Sequence, residues 1–204
     1  MRELYVNKLL GRNEVIKALT LSDFTTWSSG AIINVVLTLF VITDISGATV
    51  TEAGISSMIY LSMSALLNVP LGKFMDSRPG LIDEAYLLAL SSFIRGVGLI
   101  ALGLSTQIWQ LYLLQAILGV GKSLNYTSWR TLFTKFLNKD HLSEQWGAYD
   151  TVMSVGLGIA ALLGGILGDV IDFSYIIIIA GILCLVGAVF PITVLPRIRK
   201  RAIV

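Results

Sequence analysis

Six long apolar stretches, almost free of charged residues, run through this 204-residue chain and leave few folds open to it. They cover residues 18–43, 53–72, 85–105, 107–135, 146–168 and 173–195. Each is long enough to cross the hydrocarbon core of a bilayer as a helix, which takes about 20 residues. Short connections with turn-forming residues separate them. The sequence therefore predicts an all-α, polytopic membrane protein with six transmembrane helices, each antiparallel to the next.

The composition excludes most other classes of protein. Charged residues make up 14% of the chain, against about 25% in soluble domains. Six spans leave no room for a folded domain outside the membrane. The single cysteine, Cys184, and the single histidine, His141, exclude an internal disulfide and most histidine-based metal or acid–base sites. We therefore expect no enzyme activity, no cofactor, no bound metal and no nucleic-acid partner.

The basic residues predict the orientation, because lysine and arginine collect on the cytoplasmic side of membrane proteins. Thirteen of the fifteen lie before the first stretch, after the second, in or after the last turns of the fourth, or after the sixth. The other three connections carry none. This predicts a cytoplasmic segment at 1–17, a transmembrane domain at 18–195 and a basic cytoplasmic tail at 196–204. Both termini are then cytoplasmic, the membrane is most simply a plasma membrane, and membrane lipids are partners.

Polar residues follow one face of four predicted helices, as expected where a helix borders water. The faces, in chain order, carry Asp23, Trp27, Gly30, Asn34 and Thr38; Ser57, Tyr60, Ser64 and Asn68; Gln115, Gly119, Lys122, Tyr126 and Trp129; and Asp150 and Ser154. The third and sixth helices carry little of this kind apart from Arg95. We therefore expect the first, second, fourth and fifth helices to border a cavity and the other two to lie outside it.

Charged residues near the centre of a span are the strongest candidates for a substrate site. A lysine or arginine there costs about 2.5–3.5 kcal/mol on insertion scales unless it meets water or a partner. Lys122 shares its polar face with Gln115 and Tyr126, which favours anion binding or ion coupling. Arg95 is equally well explained by a structural salt bridge to a shallower carboxylate. The expected substrate-binding residues are Asp23, Asn34, Arg95, Gln115, Lys122 and Tyr126.

Two motifs resemble those of the major facilitator superfamily of transporters. Residues 72–80 read Gly-Lys-Phe-Met-Asp-Ser-Arg-Pro-Gly. This is similar to the family's signature loop, in which a glycine is followed by an aspartate four residues on, a basic residue and another glycine. Residues 115–121 resemble its fourth-helix motif, with Gln115 where an arginine is usual. The resemblance extends over essentially the whole chain.

This resemblance implies a 3+3 inverted-repeat bundle and secondary transport of a small polar or anionic solute by alternating access. Family members usually have two six-helix halves, and this chain has one, so we expect a twofold homodimer with the cavity between protomers. Asp76 would then meet the start of the partner's fifth helix and help to hold the cytoplasmic side closed. The expected gating residues are Gly72, Asp76, Arg78, Gly80, Arg130 and Asp150.

Two other interpretations stay open. The second six-helix half can come from a separate chain, or the sequence can be a truncated piece of a longer transporter. Alternatively, the polar faces can bind another helix bundle in a non-transporting scaffold or assembly subunit, because serine, threonine and asparagine also join helices to one another. A water-accessible cavity at the polar faces favours transport, and dry, packed faces favour a scaffold.

Overall fold

The computed structural model describes residues 13–77, 81–193 and 195–202. These ranges are helical and contain no strand, so the all-α prediction is confirmed. The helices are α1 (Glu14–Asp44), α2 (Val50–Asp76), α3 (Ile82–Gly103), α4 (Ile108–Phe136), α5 (Leu142–Gly168), α6 (Phe173–Gly187), α7 (Val189–Thr193) and α8 (Leu195–Ala202). A short 3-10 turn, Lys139–His141, precedes α5.

Five described segments are long and apolar enough to cross a membrane. They are Glu14–Asp44, Val50–Asp76, Ile82–Gly103, Lys139–Gly168 and Phe173–Ile198. The remaining predicted span, α4, has 29 residues and therefore sufficient length. Its polar face, which includes Gln115 and Lys122, makes it less apolar than the other five. A crossing at α4 stays a prediction.

The helix starts follow from local capping. The side chain of Asn13 accepts a hydrogen bond from the backbone N–H of Val15 at 3.0 Å, and its amide donates to the carbonyl of Phe136 at 3.1 Å. The first contact caps α1, and the second joins its start to the end of α4. At α2, Thr49 and Glu52 form a reciprocal capping box.

The helices pack in a regular pattern. α3 lies between α4 and α6, α1 lies between α5 and α6, and α2 packs on α4. This leaves α2 and α5 at the outside of the bundle. In the most apolar stretch of α2, 11% of the residues are buried, and in that of the segment containing α5, 22% are. The corresponding share is 50% in both α1 and α3. These two helices therefore present most of their surface to whatever surrounds the protomer.

Glycines set the closest helix contacts. A Cβ atom at Gly164 of α5 would lie 2.9 Å from the backbone oxygen of Ile32 in α1. A Cβ at Gly119 of α4 would lie 2.5 Å from the backbone oxygen of Tyr60 in α2. Real Cβ atoms do not come this close, so both pairs of helices depend on a missing side chain.

Gly164→Ala is therefore expected to destabilise the protein by about 1–3 kcal/mol, because α1 and α5 must move apart to admit the methyl group. Gly165→Ala is the matched control, since a Cβ at Gly165 meets no described atom within 4 Å. Thermal unfolding of the purified variants in detergent measures the difference. Equal melting temperatures for the two variants would contradict the close contact.

The predicted sixth span is broken near its end. Pro191 has no backbone N–H, so it cannot donate to the carbonyl of Gly187 four residues earlier, and α6 ends there. That carbonyl instead accepts a hydrogen bond from the Ser22 hydroxyl of α1 at 3.0 Å. The α1 side chain thus satisfies the group that the proline leaves free.

The segment after α7 forms a helix that packs back on the bundle. Leu195 and Ile198 of α8 are buried in an apolar cluster with residues of α1, α3 and α4. Arg197 forms an exposed ion pair with Glu14 at 2.7 Å. Exposed pairs of this kind contribute about 1 kcal/mol or less, so the apolar contacts hold α8 in place. We call this end of the bundle, where α1 begins and α8 packs, the basic end.

A candidate substrate cavity and a second polar chamber

A cavity of about 420 Å³ lies among α1, α2, α3 and α4, and we call it the larger cavity. The polar and aromatic residues that line it are Trp27, Asn34, Ser57, Tyr60, Arg95, Gln115 and Lys122. Leucines from α1 to α5 complete its wall. Four of the six predicted substrate-binding residues therefore meet around one space.

Arg95 enters the larger cavity from α3. It is only 4% exposed, and its guanidinium carbon lies 5.4 Å from the centre of the Trp27 ring. Its Nη1 atom has no hydrogen-bond partner among the described residues. No carboxylate among the described residues forms an ion pair with Arg95. The structural salt bridge that was the alternative explanation for Arg95 is therefore absent from the described part of the chain. This cation is buried and still has a donor available.

Lys122 is the second cation of the larger cavity. Its Nζ atom lies 4.9 Å from the centre of the Tyr60 ring, a cation–π distance. No carboxylate is among the described residues that line this cavity. Two cations without a carboxylate in the described lining favour an anionic ligand, because a cleft lined by charges of one sign attracts the opposite charge.

The polar face of α2 serves helix packing as well. The Asn68 side chain accepts a hydrogen bond from the Ser123 hydroxyl at 2.7 Å, which joins α2 to α4. Ser64 is buried and lines neither cavity. Only Ser57 and Tyr60 of the predicted α2 face line the larger cavity.

A second chamber of about 190 Å³ lies among α1, α4 and α5, and we call it the smaller cavity. Its lining is Asp23, Trp27, Asn125, Tyr126, Trp129, Arg130, Trp146 and Tyr149. Asp23 and Tyr126, which we expected beside Lys122, line this chamber and not the larger one. Trp27 lines both cavities, so its indole lies where they adjoin.

The expected gating residues are dispersed. Arg130 is exposed at the smaller cavity, donates to the Tyr126 hydroxyl at 2.7 Å and lies over that ring. Asp150 and Asp76 are exposed and line neither cavity. A Cβ at Gly72 would meet no described atom within 4 Å. Arg78 and Gly80 lie outside the described residues.

The sequence predicts that the third and sixth helices lie outside the cavity, and this is correct for α6 but wrong for α3. Among its described residues α6 lines neither cavity, whereas α3 contributes Arg95, Leu99 and Leu102 to the larger one. From α5, only Leu157 reaches that cavity. Leu99 and Leu102 are apolar, so α3 has no polar stripe that would predict its place at the cavity wall.

Asn125 and Tyr149 are site residues that the sequence analysis did not select. Trp129 belongs to the polar face predicted for the fourth helix, whereas Trp146 belongs to no predicted polar face. The available signal was the spacing of Tyr126 with Trp129 and of Trp146 with Tyr149. Each pair is three residues apart, which places its rings on one helix face.

Comparison with known proteins adds one match. The family model of the Major Facilitator Superfamily matches residues 19–203 of the chain. No curated protein and no solved structure matches the chain. The matched range includes every residue that lines the two cavities.

Proposed function

The chain belongs to the major facilitator superfamily, and on this basis we propose that it is one six-helix unit of a secondary transporter that moves a small polar or anionic solute by alternating access. The observation that carries the proposal is the larger cavity, where Arg95 and Lys122 face a space of about 420 Å³. That volume is typical of sites for small molecules. Asn34 and Gln115 add hydrogen-bonding groups for a neutral or charged solute.

The packing pattern supports six spans in a 3+3 inverted repeat. If α1, α2 and α3 exchange places with α4, α5 and α6, the main helix neighbours stay the same. The contact of α2 with α4 becomes that of α5 with α1, and the contact of α3 with α4 becomes that of α6 with α1. The α3–α6 contact maps onto itself. Inverted repeats of transporters have this kind of internal symmetry.

We propose a second copy of the chain as the partner, related by a twofold axis. The outer face of α2 carries Gly54 and Gly72, and that of α5 carries Gly158 and Gly165. A Cβ at any of these four glycines would meet no described atom within 4 Å. Small residues on a membrane-exposed face allow another helix to approach closely. We therefore expect α2 of one protomer to pack against α5 of its partner.

The same arrangement gives Asp76 its role. This residue is exposed at the last turn of α2, where the partner's α5 would begin. The N-terminus of a helix favours a nearby negative charge. We propose that Asp76 contacts the first turn of the partner's α5 at the cytoplasmic side, and that the contact breaks when this side opens. The basic end then faces the cytoplasm, and the protein lies in the plasma membrane.

Flux measurement on the purified protein tests the proposed function. Thermal-shift screening against sugars, organic anions and cationic drugs selects candidates, and each stabilising solute is then assayed for uptake into proteoliposomes. We expect saturable uptake of at least one stabilising polar or anionic solute. Stabilising solutes that are never transported would favour the scaffold interpretation instead.

A further inference from the structure

Aromatic residues form much of the wall of the smaller cavity, and the polar groups of three of them are already engaged. The indole N–H of Trp129 donates to the backbone oxygen of Leu19 at 3.0 Å. The Tyr149 hydroxyl donates to Oδ2 of Asp23, and the Tyr126 hydroxyl accepts from Arg130. The ring faces are engaged in part as well, since Phe133 stacks on Trp129 with ring centres 4.4 Å apart and Arg130 lies over Tyr126. The aromatic wall is therefore a mainly apolar surface for a ligand.

Two buried polar side chains of the smaller cavity keep atoms that have no hydrogen-bond partner among the described residues. Asp23 is 2% exposed, and its Oδ1 atom makes no hydrogen bond with the described residues. Asn125 is 1% exposed, and within the described chain neither its oxygen nor its nitrogen is paired. Each such buried group costs about 1–3 kcal/mol when it stays unsatisfied. One carboxyl oxygen of Asp23 and both polar side-chain atoms of Asn125 can therefore form hydrogen bonds with a ligand.

We propose that the smaller cavity binds a small organic ammonium cation, held by the free oxygen of Asp23 and enclosed by the aromatic wall. An aromatic wall around a carboxylate suits an alkylated ammonium group, because the carboxylate attracts the charge and the rings tolerate the apolar substituents. The Asn125 oxygen can accept a hydrogen bond from an N–H or hydroxyl group of the ligand.

The charges in the two chambers are opposite in arrangement. The larger cavity has two basic side chains, whereas the buried ionisable group of the smaller cavity is the carboxyl group of Asp23, whose charged form an ammonium ligand would stabilise. Arg130 also lines the smaller cavity, but it is exposed and its guanidinium carbon lies 4.9 Å from the centre of the Tyr126 ring. Solvent screens an exposed charge far more than a buried one. The inference goes beyond the proposed function, because ligand binding to this chamber requires no transport.

Choline is the probe, with a control ligand in which carbon replaces its quaternary nitrogen. Equilibrium binding of radiolabelled choline is measured on the full chain in detergent, and unlabelled ligands compete. We expect saturable choline binding and at least about tenfold weaker competition by the neutral analogue, since only the charged ligand gains from the rings and the carboxylate. Equal competition by both ligands would overturn the proposal.

Substitutions test whether choline binds in the smaller cavity or elsewhere on the protein. Asp23→Asn is expected to weaken choline binding by at least about tenfold, whereas Asp140→Asn, at an exposed residue that lines neither cavity, leaves it unchanged. Trp146→Leu is expected to weaken binding, and Trp146→Phe to retain most of it by keeping a ring. Unchanged affinity in Asp23→Asn would overturn the proposal.

A separate variant distinguishes failure of this inference from failure of the proposed function. Lys122→Gln is expected to leave choline binding intact, because Lys122 lines only the larger cavity. Choline binding that survives while no solute is transported would refute transport alone. Transport that depends on Lys122 in a protein that does not bind choline would refute the ammonium site alone.

Discussion

Lys122→Gln is expected to lower the uptake of an anionic substrate by roughly tenfold to a hundredfold. The ammonium group faces the larger cavity, where the described lining has no carboxylate to neutralise it. A charged hydrogen bond to a ligand contributes about 1.5–3 kcal/mol, and each 1.4 kcal/mol is a factor of ten. Glutamine keeps hydrogen-bonding capacity but removes the charge. Initial uptake rates in proteoliposomes, measured across substrate concentrations, give the size of the loss.

Two further substitutions make this test specific. Lys122→Arg keeps the positive charge and is expected to recover part of the uptake. Lys139→Gln removes a charge from an exposed residue between α4 and α5 that lines neither cavity, so uptake should not change. If Lys122→Gln transports with wild-type kinetics, Lys122 does not belong to the substrate site. A neutral substrate would show a smaller loss than an anion.

Gly158→Trp is expected to dissociate the proposed homodimer and to abolish uptake with it. Gly158 lies on the outer face of α5, and a Cβ atom there would meet no described atom of its own protomer within 4 Å. An indole at this position would hold a partner helix away from the backbone that it is expected to contact. The protomer itself should stay folded. Fluorescence energy transfer between labelled protomers in liposomes measures the dimer, and flux is assayed on the same preparation.

Leu163→Trp is the control for this second experiment. Leu163 is exposed on α5, about 140° around the helix from Gly158 at roughly 100° per residue, so its side chain is expected to face lipid. Dimer formation and uptake should both persist in this variant. Wild-type protein that transports but shows no energy transfer would contradict the homodimer and favour a complementary half from another chain.

The sequence was sufficient to predict most of the fold, because membrane helices declare themselves by length and apolarity. It did not predict the end of α6 at Gly187, which depends on the position of Pro191 relative to a free carbonyl and on Ser22 of a distant helix. Nor did it predict that α8 packs through Leu195 and Ile198. Both features depend on contacts between elements far apart in the chain.

The candidate site was predicted only in part, for a related reason. Helical periodicity finds which residues share a face, so Gln115 and Lys122 were correctly expected to lie together. It does not show where one cavity ends and another begins. Asp23 was therefore grouped with Lys122, although the hydroxyl that it contacts belongs to Tyr149, more than a hundred residues later.

The ion pair of Arg197 with Glu14 places the last helix of the bundle beside the first. A head-to-tail duplication of the gene would therefore join two units with a linker that stays at the basic end of the bundle. Because the linker would start and finish at that same end, both units would enter the bilayer with the same orientation. If the chain forms the proposed homodimer, its two copies would be joined by such a fusion, and each half could then diverge and specialise independently.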